Sequence, residues 1–509
     1  MKRLQFRNKS LPDHYFIQTE LSFSLDENLS LLQTTFADCD DFIFQMVNFD
    51  HIRGCIFYLS EMASDHALNE IEQGLTNSRG LLKKGSSDDI RVSIRNCFPF
   101  SNINNVKNLK SVIDHILTGN TVLLVDQMDH AFLFSTVKEA GRQVQEPPSE
   151  SLVRGPREGF VENIGTNLML IRRKLRNPSL KVRHLRVGRQ TNTELIVVYI
   201  KGIADEKVVE EVSRRLSLID IDGILESHYL ESIIADSRWS PFPTVYSTER
   251  PDRVCASLLD GKVAILTDGT PFVLTAPAVF VEFLHSNEDY YNGSLIATFT
   301  RWIRLLGLFV TLILPSFILA MTTFHQDLLQ TPLLINIAAS REGLPYPVLV
   351  EAIFMFITFE LVREAGLRMP KVFGGAVTTI LGLVLVSQIA VQAGIIGPVM
   401  AISVSVAAMV SFILPNYAFH QVIRILGLPM LFLAGFFGFM GILVGLMFAL
   451  AHLVSLRSFG VPYFSPISPG RKEGWKDVFI RAPWWAIETR QPGLDIENIR
   501  RTGPNEDNL

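Results

Sequence analysis

Apolar and polar positions alternate in short runs through the first 290 residues, then give way to long unbroken apolar stretches. In the first regime FIFQMVNF (42–49) and CIFYLS (55–60) are rich in aromatic and branched residues and predict strands. ENLSLLQTTF (27–36) predicts a helix before them, and a polar helix from Asp65 to Leu75 follows. Residues 86–100 carry no clear period. VIDHIL then leads through Gly119-Asn120 into TVLLVDQMDHAFLFS (121–135), a strand pair around the polar turn Asp126-Gln127-Met128-Asp129. A linker with Glu146-Pro147-Pro148 ends this part.

The pattern then repeats. Tyr58 in IFYLSEMASD aligns with Tyr199 in VVYIKGIADE at an offset of 141, and Gly119 in GNTVLLVD with Gly261 in GKVAILTD at 142. ENLSLL (27–32) matches TNLMLI (166–171) at 139. The expectation is two similar α/β modules of about 130 residues, 1–145 and 150–290, each ordered helix, strands, helix, hairpin. Asp268-Gly269, between VAILT and PFVLT, is the clearer hairpin turn.

Beyond residue 295 several apolar runs reach the 18 or so residues that a helix needs to cross a hydrocarbon core roughly 30 Å thick. A first span is expected from Phe299 to Met321, with Arg301 and Arg304 near its start and Pro315 inside it. HQDLLQTPLLINIAASREGLPYP (325–347) is too polar and proline-broken to span, which predicts an interfacial or re-entrant segment. Glu351 to Glu364 reads as a short polar helix. Phe373 to Leu414 breaks near Gly394 and Gly397-Pro398 into two antiparallel spans, and PNYAFHQVIR is a polar turn before the last span, Leu428 to Leu453. The expected organisation is thus a transmembrane helical domain over 295–456 and a cytoplasmic tail over 457–509. Arg457, Arg471, Lys472, Lys476, Arg481 and Arg490 place that tail inside, so the span count is even. Four full crossings are preferred, with the Glu351 helix at the interface or entering partway, and six remain open.

Composition agrees with two regimes joined end to end. Among 509 residues 48% are hydrophobic, too many for an average soluble protein, yet 19% are charged, too many for a pure membrane bundle. The net charge of -4 names no partner. The basic start MKRLQFRNKS is not followed by an apolar run, so no cleaved signal peptide is expected and the modules stay cytoplasmic. Cys39, Cys55, Cys97 and Cys255 show no CxxC pairing, which fits reduced structural thiols and no metal or other cofactor.

Enzymatic motifs are missing. There is no GxSxG, GxxxxGK[ST], GxGxxG or HExxH, and His452 with Ser455 near the end of a span reads as structural. Arg172, Arg173, Lys174 and Arg176 open a basic cluster running to Arg189. Anionic lipid could attract it, but an inter-subunit or inter-domain face pairing with Asp205 to Glu211 is favoured. Without aromatic residues it offers no platform for nucleic acid. Gly435, Gly438, Gly441 and Gly445 recur at three or four residues and predict a helix-packing seam. Glu351 and Glu360, then Gln388 and Gln392 at i and i+4, are the candidates for an ion path, since carboxylate rings formed by oligomerisation select cations. Arg363 and Glu364 more readily meet water and headgroups.

Several runs resemble the A subunits of the GerA family of spore germinant receptors: PREGFVENIGTNLMLIRRKLRNP (156–178), DGKVAILTDGTPFVL (260–274), TTFHQDLLQTPLLINIAASREGLPYP (322–347), ELVREAGLRMP (360–370) and SLRSFGVPYFSP (455–466). The resemblance covers roughly residues 150 to 470. It implies a multi-pass protein of the inner spore membrane, working with a transporter-like nutrient-binding subunit and a lipoprotein subunit. It also implies a homo-oligomeric channel that releases cations when nutrient is sensed. The stage V sporulation AF-type relative shares these motifs. A non-conducting scaffold docking other germination proteins is the alternative, and a secondary transporter lacks its inverted repeats.

Overall fold

The computed structural model describes residues 20–49, 52–77, 103–138, 144–368, 375–470, 474–490 and 498–501. The aperiodic segment 86–100, Cys97, Phe373, Arg471 and Lys472 lie outside them. The chain forms two compact units, one of Met1–Ala235, Val245–Pro277 and Thr489–Leu509, the other of Asp236–Thr244 and Ala278–Glu488. The expected boundary at 290 thus falls at 277, and the expected tail over 457–509 is divided between the units.

The first unit is α/β. Strands β1 (Phe42–Phe49), β2 (Ile52–Leu59), β3 (Asn104–Val106), β4 (Thr121–Val125) and β5 (Ala131–Phe134) form an antiparallel sheet in the order β1-β2-β4-β5-β3. Strands β6 (Leu180–Val187), β7 (Thr193–Ile200), β8 (Tyr246–Thr248), β9 (Val263–Thr267) and β10 (Val273–Ala276) form a second, in the matching order β6-β7-β9-β10-β8. The central β4 and β9 are buried at every position, so both of their faces must be covered. On the first sheet helices Leu25–Thr35 and Leu109–Leu117 cover one face, burying Leu25, Leu32, Val112 and Ile116 against Phe57 and Leu124. On the second, Ile164–Lys174 and Pro251–Leu259 do so, with Leu168, Ile171, Val254 and Leu258 packed on Ile196 and Leu266.

Gly119 and Gly261 end the helices that precede β4 and β9, at φ +91° and +92°. In each case the glycine N–H and the next N–H return to carbonyls of the last turn: Gly119 to Ile116 and Asn120 to His115, Gly261 to Leu258 and Lys262 to Ser257. A left-handed residue closing a helix in this way is a glycine position. A Cβ at Gly119 would also stand 3.0 Å from the Met62 carbonyl.

The second unit is helical, with Ser294–Thr323, Thr331–Arg341, Val348–Arg368, Gly375–Gln392, Pro398–Ser411 and Tyr417–Ser455. Among the described residues the first and last of these are long and apolar enough to cross a membrane. A helix stands where the first span is expected, extended to Ser294. The Glu351 segment belongs to a helix of 21 residues, about 31 Å long, rather than to a short one. PNYAFHQVIR is not a turn. Asn416 caps a helix by accepting from Phe419 N at 3.0 Å, and Tyr417 to Arg424 form its first turns.

The expected last span, Leu428 to Leu453, is corrected most. Gly438 has φ 59° and ψ -139°, which no helix contains, and the chain reverses there. In a straight helix Met430 and Gly445 would be about 22 Å apart. Here a Cβ on Gly445 would overlap Met430 Sδ, and one on Gly441 would overlap the Leu433 carbonyl. Tyr417–Phe437 and Phe439–Ser455 are therefore two arms of a helical hairpin, close because glycine leaves room for backbone. The reversal lies against the end of the Ser294 helix, where His325 stacks on Phe439 at 4.4 Å.

Candidate functional site

In the second unit the charges sit in pairs, because an isolated charge among apolar helices is costly. Glu351 is fully buried. Its Oε1 accepts from Arg341 Nη2 at 3.1 Å and its Oε2 from Gly397 N at 2.9 Å. Gly397 is the N-cap of the Pro398–Ser411 helix, so the carboxylate also meets the positive end of that helix. One turn sequence, GIIGP, thus builds half of the Glu351 site.

Glu360 lies nine residues on, on the same helix. Its carboxylate takes both Arg424 Nε, at 3.1 Å, and Arg424 Nη2, and Oε1 also accepts from Arg363 Nη1 at 3.2 Å. Arg363 is buried over the Phe412 ring. A small cavity of about 40 Å³ opens beside these groups, lined by Thr311, Ser316, Glu360, Arg363 and Arg424. Ser316 Oγ is buried there without a hydrogen-bond partner among the described residues. The rest of its wall is largely apolar, formed by residues such as Leu312, Phe356, Phe359, Val404 and Leu431. Nearby, His420 Nε2 meets Ser411 Oγ at 2.9 Å.

The four expected path residues thus divide. Glu351, buried, and Glu360, half-buried, are held in ion pairs rather than presented openly. Gln388 and Gln392 are exposed on the Gly375–Gln392 helix. The partners Arg341 and Arg424 were missed because they lie in stretches read as interfacial segment and polar turn. Their spacing to the glutamates, 10 and 64 residues, follows no motif.

The glycines also divide. A Cβ on Gly435 would stand 2.7 Å from Leu349 Cδ1, Gly441 and Gly445 face the opposite arm, and Gly438 is the reversal itself, so they do not share one helix face. His452 Nε2 meets Ser240 Oγ at 2.9 Å, and Ser455 Oγ donates to the His452 carbonyl.

The basic cluster of the first unit pairs otherwise than expected. Arg172 is 1% exposed and grips Asp41 through Nε and Nη2 at 2.9 and 2.8 Å. Lys174 pairs with Glu158 at 2.7 Å, Arg176 Nε donates to the Arg173 carbonyl, and Arg173 is exposed. The stretch Asp205 to Glu211 is occupied elsewhere: Asp205 caps its own helix at Lys207 N, and Glu211 binds Arg214 and Arg215, which hold its carboxyl at about 2. Beside Arg172, Cys39 Sγ stands 3.8 Å from Lys181 Nζ, and burial pushes the thiol up and the amine down. Cys39, Cys55 and Cys255 are free and buried.

Residues 30–492 match the family described as Bacillus/Clostridium GerA spore germination protein. The chain is 40% identical over 490 residues to Spore germination protein KA of Bacillus subtilis (strain 168), covering 96% of this chain and 89% of that protein. It is 36% identical over 485 residues to Spore germination protein B1 of the same organism, covering 95% and 100%. A crystal structure of the N-terminal domain of the A subunit of the Bacillus megaterium spore germinant receptor GerK3 aligns over 52% of this chain and 98% of that domain, at 32% identity and a TM-score of 0.39. The family match and the near full-length relatives agree with the motifs at 156–178, 260–274 and 322–347: the chain belongs to the GerA family of spore germination proteins.

Proposed function

We propose that this chain is the A-type subunit of a nutrient germinant receptor, and that assembled copies pass cations across the spore inner membrane when a partner binds nutrient. The observation that carries the reading is the 40% identity to Spore germination protein KA along 96% of the chain. We read the two sheets as two copies of one cytoplasmic module, supported by their common strand order and by the equivalent glycines 119 and 261.

In this reading the Ser294, Val348, Gly375 and Pro398 helices and the two hairpin arms each cross once. Antiparallel pairing supports it: Gly307 faces Val410 and Ile413, Gly427 faces Phe356, and Ser387 bonds Ser405 at 3.0 Å. Gln388 and Gln392 face the path from each copy, while the pairs of Glu351 and Glu360 fix the helices behind it. The transporter-like and lipoprotein subunits implied by the resemblance are its partners, and no covalent chemistry is required.

Reconstitution of the full chain in liposomes, alone and with its partner subunits, tests the reading. Potassium or sodium flux is expected, and Gln388→Leu with Gln392→Leu should reduce it. Flux absent in both preparations, or unchanged in the double variant, overturns the path. The pairing of both glutamates favours one second reading, a non-conducting scaffold that docks other germination proteins. A scaffold loses its partners on deletion of residues 1–285 and conducts in neither form.

A further inference from the structure

The helical unit contains a second cavity, of about 270 Å³, separate from the glutamate pairs. Its wall is apolar, formed by Leu305, Leu308 and Leu312 of the Ser294 helix and by Leu426, Leu446 and Leu450 of the two hairpin arms. Such a space holds water poorly. Arg301 also lines it, and this residue is only 3% exposed. Arg301 Nε donates to Asp289 at 3.2 Å and Nη1 to the Asp477 carboxylate at 2.9 Å and carbonyl at 2.6 Å, whereas Nη2 has no hydrogen-bond partner among the described residues. Asp289 is shared with Arg304 at 2.7 Å, and a third guanidinium, Arg481, lies over the Tyr290 and Trp484 rings.

We propose that the cavity holds one acyl chain of a membrane lipid whose anionic headgroup sits at its Arg301 end. Both halves of the site match that chemistry. The arginines stand at the start of the apolar helix, where headgroups lie, and the half-exposed Trp302 and Phe309 form the rim. The volume lies just under the usual range for small-molecule pockets, which suits one chain rather than two. The inference rests on reading this unit as membrane-embedded.

The test uses the full chain, purified in detergent and stripped of lipid, then titrated with dioleoylphosphatidylglycerol or dioleoylphosphatidylcholine and followed by native mass spectrometry. One phosphatidylglycerol should be retained per chain, about tenfold more tightly than phosphatidylcholine. Ala449→Phe, which fills the cavity, should abolish that first retained lipid. If Ala449→Phe does not fold by circular dichroism, Leu446→Phe serves the same purpose. Equal retention of the two lipids, retention unchanged in a folded filling variant, or displacement by inorganic phosphate overturns the proposal. Recovery of the chain in the soluble fraction without detergent would instead overturn the membrane reading beneath it.

Discussion

Arg172 and Asp41, 131 residues apart in sequence, meet as a two-pronged ion pair buried between the two halves of the first unit, each side chain 1% exposed. Segment 38–40 runs beside β6, the edge strand of the second sheet, through Asp40 N to Val182 O at 2.9 Å and His184 N to Asp40 Oδ2 at 2.8 Å. The pair locks that edge, which would otherwise offer unpaired backbone to other chains. Arg172→Met should destabilise the unit by about 3–5 kcal/mol, because Asp41 is left charged and buried. The double variant Arg172→Met with Asp41→Leu should recover most of the loss. A denaturant double-mutant cycle on the full chain measures both, and additive losses would show that the pair acts separately.

Glu360 and Glu364, one helical turn apart, should respond very differently. Glu360 is held by Arg424 and Arg363, whereas Glu364 and Arg368 form an exposed i,i+4 pair at 59% and 79% exposure. Glu364→Gln should change unfolding stability in detergent by under about 0.5 kcal/mol, and Glu360→Gln by about 3 kcal/mol. Equal effects would contradict the pairing.

Gly438→Ala should be among the most damaging single-methyl additions in the helical unit. Its φ of 59° with ψ -139° lies outside even the left-handed α region and disfavours a side chain by about 1–3 kcal/mol, and the new Cβ would stand 2.8 Å from His325 Cε1. Gly269→Ala has the same sign of φ, +85°, but open space around it. It should lose only the conformational part, as thermal melting would register.

The first unit should become less stable as pH rises from about 4.5 to about 7. Glu150 receives a hydrogen bond from Thr248 Oγ1 at 2.6 Å, and burial pushes its carboxyl up to about 7 against the opposing pull of Arg253 and Arg250. A folded carboxyl that holds its proton more tightly than the unfolded one contributes stability fully below about 4.5, and loses it progressively up to about 7. Glu150→Gln should flatten that part of the profile. A wild-type curve already flat between these values would contradict the raised carboxyl.

Much of this was legible in the sequence where the signal is local. Strand alternation, the Asp268-Gly269 turn and the offsets linking Tyr58 to Tyr199 and Gly119 to Gly261 mark elements that the structure contains. What was not legible depends on distance or on a single torsion. Nothing local to Arg172 points to Asp41, and nothing in IRILGLPMLF marks Arg424 as the partner of Glu360. Gly438 lies in an apolar run with glycines on either side, so composition could not tell a packing residue from a reversal.

That reversal bears on how the protein enters a bilayer. With one residue as the entire connection, the closure of the two arms costs little chain entropy, and no polar loop exists to be carried across ahead of the second arm. On the reading that both arms cross the bilayer, the hairpin is expected to insert as one unit, its tip leading, with both of its ends left on the side from which it entered.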